Sequence, residues 1–381
     1  MPYATPISIV PKFMWNYISM YLDKSCLLKL ILVNNTFSTT IDDQIWKQSF
    51  YNRIENIAIV QTKSQRIKNF WSYACRTYTS CINIHDLFLS VTGPKRRIRR
   101  PNNTGSMLYY KIFIKDGHYE FNNDNSYYNN NDIDEIYGYH FNRTNIELNG
   151  DPSNPTVITD YNPYNNTILS LNNLQYFEMR HIKLCNVVLY INKNYTDYTY
   201  NYHNIVHISN CIFSNNGTIA DGVTNRWKSH LRNENNYITI NSVNVIIVAN
   251  SIFNNIGLHI DLDSKSTNTI DYSVMGNIFR NCNNGSFILL NGSCDNQSAI
   301  SICDNTIKNG FNMLSNNITN STAIVSGNII SNMDICLSVD DNCKIIFTEN
   351  KLTDIVKLTC NNESLVETDN NKYYRCVWQN N

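Results

Sequence analysis

Catalysis by this chain would most directly come from paired carboxylates, and two pairs have suitable spacing. Asp261 and Asp263 lie two apart in strand-like sequence, which turns both side chains to one side. Asp340 and Asp341 are adjacent. Glycoside hydrolysis needs two carboxyl groups facing each other across a groove. Neither pair is joined by a Gly-His-Gly or Arg-x-Lys element, and no cluster of acids with a basic partner accompanies them. They read as turn and surface aspartates, so no catalytic residue is assigned. The eight histidines contain no His-Glu-x-x-His, and His203 and His207 fall in strand-like sequence, where a spacing of four is no helix-face pair. No metal ligand is assigned. Neither G-x-x-x-x-G-K-[ST] nor G-x-G-x-x-G occurs, so no nucleotide or other cofactor is expected. The twelve cysteines are scattered from Cys26 to Cys376 without a C-x-x-C pair, and they read as reduced, mostly buried thiols.

Charge and hydropathy narrow the partners. Lys plus Arg and Asp plus Glu both number 31, so no global field favours nucleic acid or an anionic membrane. The cluster Lys95-Arg96-Arg97-Ile98-Arg99-Arg100 is the kind that serves as a nuclear address or polyanion patch. Beside Pro101 and Gly105 it reads more simply as a solvated loop. No secretory n-region and h-region open the sequence and no apolar run reaches membrane-spanning length, so a soluble protein of the cytoplasm, with access to the nucleus, is expected. Asparagine is about one residue in six, with much isoleucine and tyrosine. That is the signature of an AT-rich coding genome, such as that of a large DNA virus or a protist, and its Asn-x-Ser/Thr sequons are chance occurrences.

The elements change character along the chain. From residue 109 onward, short β-branched and aromatic runs are separated by Asn, Asp and Gly, which signals many short strands. A pattern Asn-x-Φ-x-Asn, Φ being large and apolar, recurs as Asn250 to Asn254, Asn277 to Asn281, Asn305 to Asn309 and Asn328 to Asn332, and with a final Asp from Asn350 to Asp354. A period of 20 to 30 residues holding two or three strands describes one coil of a parallel β-helix. Stacked coils place the Φ residues in an interior column. Asn250, Asn277, Asn305, Asn328 and Asn350 then form a structural ladder whose side-chain amides bond from coil to coil. The aromatic stretches Tyr127-Tyr128 and Tyr195 to Tyr202 could stack on sugar or peptide, and read as loops bulging from the coils.

Residues 54 to 108 read as a connector: Arg66, Ile67, Phe70, Trp71, Ala74 and Cys75 have helical spacing, and the basic loop follows. Ahead of it, Pro11 suits a first helical turn, and Phe13, Met14, Tyr17, Ile18, Tyr21 and Leu22 recur every three or four residues. Leu27, Leu28, Leu30, Ile31, Leu32 and Val33 make a second helix apolar nearly all round, which needs a buried position or a partner.

Pro11, Tyr21-Leu22-Asp23, the run Leu27 to Val33, Phe37 and Asp42-Asp43-Gln44-Ile45-Trp46-Lys47 resemble, in that order, an F-box. Val10, Phe13 and Cys26 depart from its usual pattern without removing the apolar face. The resemblance implies that Pro11, Ile18, Leu22, Leu27, Leu28, Leu30, Leu32, Val33, Phe37 and Trp46 dock a Skp-type adaptor and, through it, a cullin. Ile112-Phe-Ile-Lys-Asp116-Gly117-His-Tyr119-Glu120, Ile146-Glu-Leu148-Asn-Gly150 and Pro155-Thr-Val157-Ile158 resemble the opening coils of pectin-lyase-like β-helices, and the later repeats are similar to carbohydrate-binding and sugar-hydrolase-type coils.

The expected architecture is mainly β: a right-handed parallel β-helix (109–362) preceded by a small all-α F-box-like module (5–53) and the connector (54–108), with a C-terminal tail or cap (363–381). The expected function is a non-enzymatic, substrate-recruiting adaptor of a cullin-RING ubiquitin ligase whose β-helix holds a protein target. The competing reading is a carbohydrate-binding or carbohydrate-processing β-helix with N-terminal helices that only cap the first coil.

Overall fold

The structure is a computed structural model. It describes residues 43–92, 108–121, 138–142, 144–160, 167–172, 175–192, 204–215, 237–262, 270–293, 299–319, 321–339, 343–361 and 366–377, and, singly, Met14, Tyr17, Ile18, Leu22, Cys26 and Lys29. The chain is mainly β, built on two long parallel sheets, an arrangement compatible with a β-helix. Ten parallel strands form one wall, sheet A: Leu108–Ile114, Thr144–Asn149, Tyr176–Arg180, Ile205–Ser209, Val245–Ala249, Asp271–Met275, Ala299–Cys303, Thr322–Ser326, Lys344–Thr348 and Val366–Asp369. After each, the chain passes through sheet B before the next, so one coil is one strand of A plus its segment of B. In the first five coils that segment is two strands. From the sixth to the ninth it is one long strand: Ile278–Ser293, Thr306–Thr319, Ile329–Val339 and Lys351–Asn361.

Alternation explains why these sequences stack. Successive residues of a strand face opposite sides, so every second side chain enters the interior. Along sheet A, Phe177, Val206, Ile246, Tyr272, Ile300, Ala323 and Ile345 are in register and buried. Along sheet B, Phe213, Phe253 and Phe279 stack with ring centroids 5.1 and 4.5 Å apart. Each coil is therefore closed by the coils stacked on it, and the core is one continuous column.

Two regions carry more structure than the sequence reading gave them. The helix expected around Phe70 to Cys75 is present as Phe70–Thr77, and the same connector also supplies strands: Ile57–Thr62 pairs antiparallel with Leu108–Ile114 and with Thr79–Cys81. Ile57, Ala58, Ile59 and Val60 are all buried, because this strand has a core on each face. Ile57 and Ile59 join the coil interior, where helix Ile84–Thr92 adds Ile84, Leu87 and Val91 as a lid on the first coil. Ala58 and Val60 join a second cluster with Ile45, Trp46 and Phe50 of helix Asp43–Arg53 and Ala74 and Cys75 of helix Phe70–Thr77. An uninterrupted apolar run of this kind marks a strand buried on both faces. Of the expected C-terminal tail or cap, the described part is strand: Val366–Asp369 and Lys372–Cys376 pair parallel with the ninth coil and form a tenth.

Candidate functional site

The N-terminal apolar residues divide into exposed and seated ones. Met14, Tyr17 and Ile18 are helical, at the i, i+3, i+4 spacing that puts them on one face, and are 46, 63 and 38 % exposed. Leu22 is half-buried against the second cluster, and its carbonyl accepts from Arg53 Nη2 at 3.4 Å. Trp46 is only 3 % exposed and lies within that cluster, and its carbonyl receives the Cys75 thiol at 3.3 Å. Trp46 thus belongs to the seat of the helices on the sheet rather than to a surface a partner can reach. Pro11, Leu27, Leu28, Leu30, Leu32, Val33 and Phe37 lie outside the described residues. The seat itself is aromatic: Phe113, on the outer face of the first strand of sheet A, meets Phe50 at 5.1 Å and Trp71 at 5.2 Å between centroids.

Next to that seat, on the same outer face, the structure assembles a charged column that sequence reasoning missed. Lys111, Glu147, Glu178 and His207 are in register on four successive coils. Lys111 Nζ donates to both oxygens of Glu147 at 2.7 Å. Tyr176 Oη donates to Glu178 Oε2 at 2.7 Å, His207 Nδ1 stands 3.1 Å from Glu178 Oε1, and Arg180 pairs with the same carboxylate. Burial pushes the Glu147 carboxyl up, and the Lys111 ammonium does not fully offset it. Burial pushes Glu178 up as well, but hydrogen bonds from His207 and Tyr176 and the Arg180 charge outweigh it and hold that carboxyl below its ordinary value.

Two carboxylates on adjacent coils, about 4.8 Å apart by strand spacing, approach the separation a retaining glycosidase needs. Chemistry would further require an approach route. Lys111 bridges both Glu147 oxygens, and the Glu147 and Glu178 side chains are only 12 and 6 % exposed. The column is arranged as a charge network tying the first four coils together.

The asparagines form a second vertical array. Asn277, Asn305, Asn328 and Asn350 each donate Nδ2 to the Oδ1 of the next asparagine at 2.9–3.1 Å, ending on Asn371. The same Oδ1 atoms receive the backbone N–H of the asparagine below at 2.9 Å. Asn250 is not a rung. The position in register with Asn277 is Ser251, whose N–H donates to Asn277 Oδ1. Asn250 sits one residue earlier, at the left-handed corner with φ 51°, beneath Gly276 at φ 65°. An exposed array runs at the other corner, where Asn281, Asn309 and Asn332, all at positive φ, bond coil to coil through their side chains.

Of the remaining chemistry-bearing positions, Asp261 is in register with Asn241 and Asn291 on sheet B, while Asp263, Asp340, Asp341, His203 and the basic cluster 95–100 lie outside the described residues. Among the described residues no group of three or more His, Cys, Asp or Glu gathers as a metal site, and no helix is long and apolar enough to cross a membrane. No family model, curated protein or solved structure matches the chain.

Proposed function

We propose that the chain is a recruiting adaptor: its N-terminal helices dock a Skp-type adaptor of a cullin-RING ligase, and a right-handed parallel β-helix presents its lateral surface to a protein target. The observation that carries this reading is the exposed stripe of Met14, Tyr17 and Ile18, in contrast to Leu22 and Trp46, which are seated against the sheet. Helices that served only to cap a coil would turn such residues inward, because three large apolar side chains on one face gain most by burial. Among the described apolar residues of the module, Leu22, Ile45, Trp46 and Phe50 are the ones that pack on the sheet. The adaptor's contribution to transfer is positional, raising the effective concentration of target at the ligase. The right hand follows the rule for parallel crossovers in one sheet.

The test is co-purification of the tagged full chain from eukaryotic cells, probing for the Skp-type adaptor and cullin. Point variants suit it better than removal of the N-terminal region, because Ile57–Thr62 and Ile84–Thr92 belong to the coil core. Both proteins are expected with the wild type and neither with Leu27→Asp/Leu28→Asp or Tyr17→Glu/Ile18→Asp. Recovery of the adaptor by both variants overturns the assignment.

A further inference from the structure

From the sixth coil onward, one face of sheet B carries cations without acids. On its outward side, Arg280 and Lys308 are stacked in register on the sixth and seventh coils, and Lys351 and Lys372 on the ninth and tenth. All four are exposed, and among the described residues none has an ion-pair partner. These cations belong to two adjoining columns: Arg280 and Lys308 are continued by the uncharged Ser331 and Thr353, while Ile252, Ile278, Thr306 and Ile329, with Ile278 and Ile329 37 and 49 % exposed, lead in register into Lys351 and Lys372. The nearest acids stand at the corners, Asp304 and Glu349 before the face, and Asp354, already paired with Arg375, after it. In a chain whose charges balance to zero, this is a local field with an apolar spine.

We infer that this face binds an acidic, amphipathic α-helical segment of the protein target, lying along the stacking axis. This rests on the adaptor reading and names which wall of the β-helix does the recruiting. The spacing favours a helix. Coils repeat about every 4.8 Å, and side chains one helical turn apart, at i and i+4, are about 5–6 Å apart. Acids one turn apart therefore meet Arg280 and Lys308 on successive coils, while the adjoining apolar stripe covers Ile278 and Ile329 and acids that close that stripe meet Lys351 and Lys372, which continue the same column. An extended peptide presents same-face side chains about 6.8 Å apart and falls out of step within two coils. A nucleic acid would use the cations but has nothing to place on the isoleucine column.

The probe is a synthetic 20-residue helix with a leucine stripe flanked by glutamates, with its lysine counterpart, titrated by fluorescence anisotropy against the full chain. The acidic helix should bind, the basic one should not, and affinity should fall as salt rises. Arg280→Glu/Lys308→Glu should weaken binding by about tenfold or more, as should Lys351→Glu/Lys372→Glu, whereas Lys115→Glu, on the far corner of the first coil, should not. Unchanged circular dichroism certifies the fold of each variant. No binding of the acidic helix by wild type, equal binding by the variants, or equally tight, equally variant-sensitive binding of heparin would overturn the inference. The same variants are assayed for Skp-type adaptor capture. Capture retained with peptide binding lost supports both readings; capture without any peptide binding refutes this face alone; peptide binding without capture refutes the adaptor reading alone.

Discussion

Asn305→Ala tests the buried ladder where its bonds are most completely defined. Asn305 donates Nδ2 to the Val274 carbonyl at 2.9 Å and to Asn328 Oδ1 at 3.0 Å, and its Oδ1 accepts the Asn277 amide N–H at 2.9 Å and side chain at 3.1 Å. It is 1 % exposed, so water cannot replace those partners. Truncation strands the Asn277 backbone N–H and one hydrogen of its side-chain amide inside the wall, while the Val274 carbonyl keeps its place in the strand ladder. At about 1–3 kcal/mol for each stranded group, the loss is about 2–6 kcal/mol, with about 4 as the centre. The assay is hydrogen exchange by mass spectrometry on peptides spanning Val274 to Asn281, where 4 kcal/mol corresponds to about a thousandfold loss of protection. Asn305→Asp sharpens the test. Its carboxylate would face two acceptors, so its folded pKa is raised, and the penalty grows as pH rises through the unfolded value and is relieved toward acid. A protection loss below about tenfold in the alanine variant, or an aspartate variant as stable as wild type at pH 7, would refute the claim that the ladder holds the coils.

Further outcomes follow from the same geometry. Asn332, at φ 53°, should tolerate glycine with little change and lose about 1–2 kcal/mol or more with valine, read by urea unfolding, because a β-branched side chain disfavours the left-handed region. Gly150→Ala should destabilise by about 1–3 kcal/mol in the same assay, since a Cβ there runs into the His181 backbone carbonyl, which cannot swing aside. Glu178, with its folded pKa lowered, contributes stability that is present at neutral pH and lost as pH falls through the folded value; Glu147, with its pKa raised, acts in the opposite sense. Glu178→Gln should therefore flatten the fall of Tm on acidification and Glu147→Gln should steepen it; matching slopes in both variants would refute the network. Tyr17→Glu should leave Tm within about 1 °C while weakening adaptor capture, because that side chain is 63 % exposed.

The repeat was legible because a stacked coil stamps its needs onto the sequence at every turn. A side chain that must enter the column is large and apolar, and a corner in the left-handed region accepts Asn, Asp or Gly; Phe279, Ile307 and Asn309 could be read as such directly. Single-residue register was not legible where the copy was imperfect. Asn250 and Ser251 are both plausible partners for Asn277 in one dimension, and only parallel pairing of Ile252 with Ile278 decides for Ser251. The strand Ile57–Thr62 was hidden for a related reason: burial on both faces erases the alternation that marks a strand. The charged column was beyond sequence reasoning altogether. Lys111, Glu147, Glu178 and His207 are separated by about thirty residues apiece and share no motif, because what joins them is the stacking distance of coils, not distance along the chain. The same stacking gathers Arg280, Lys308, Lys351 and Lys372 on one wall of a chain with no net charge. By itself the sequence determined the coil's interior and its corners, where each residue answers to its own backbone and the core. The tertiary structure alone decided the outer faces, since an outward side chain acquires its neighbours only from the coils above and below.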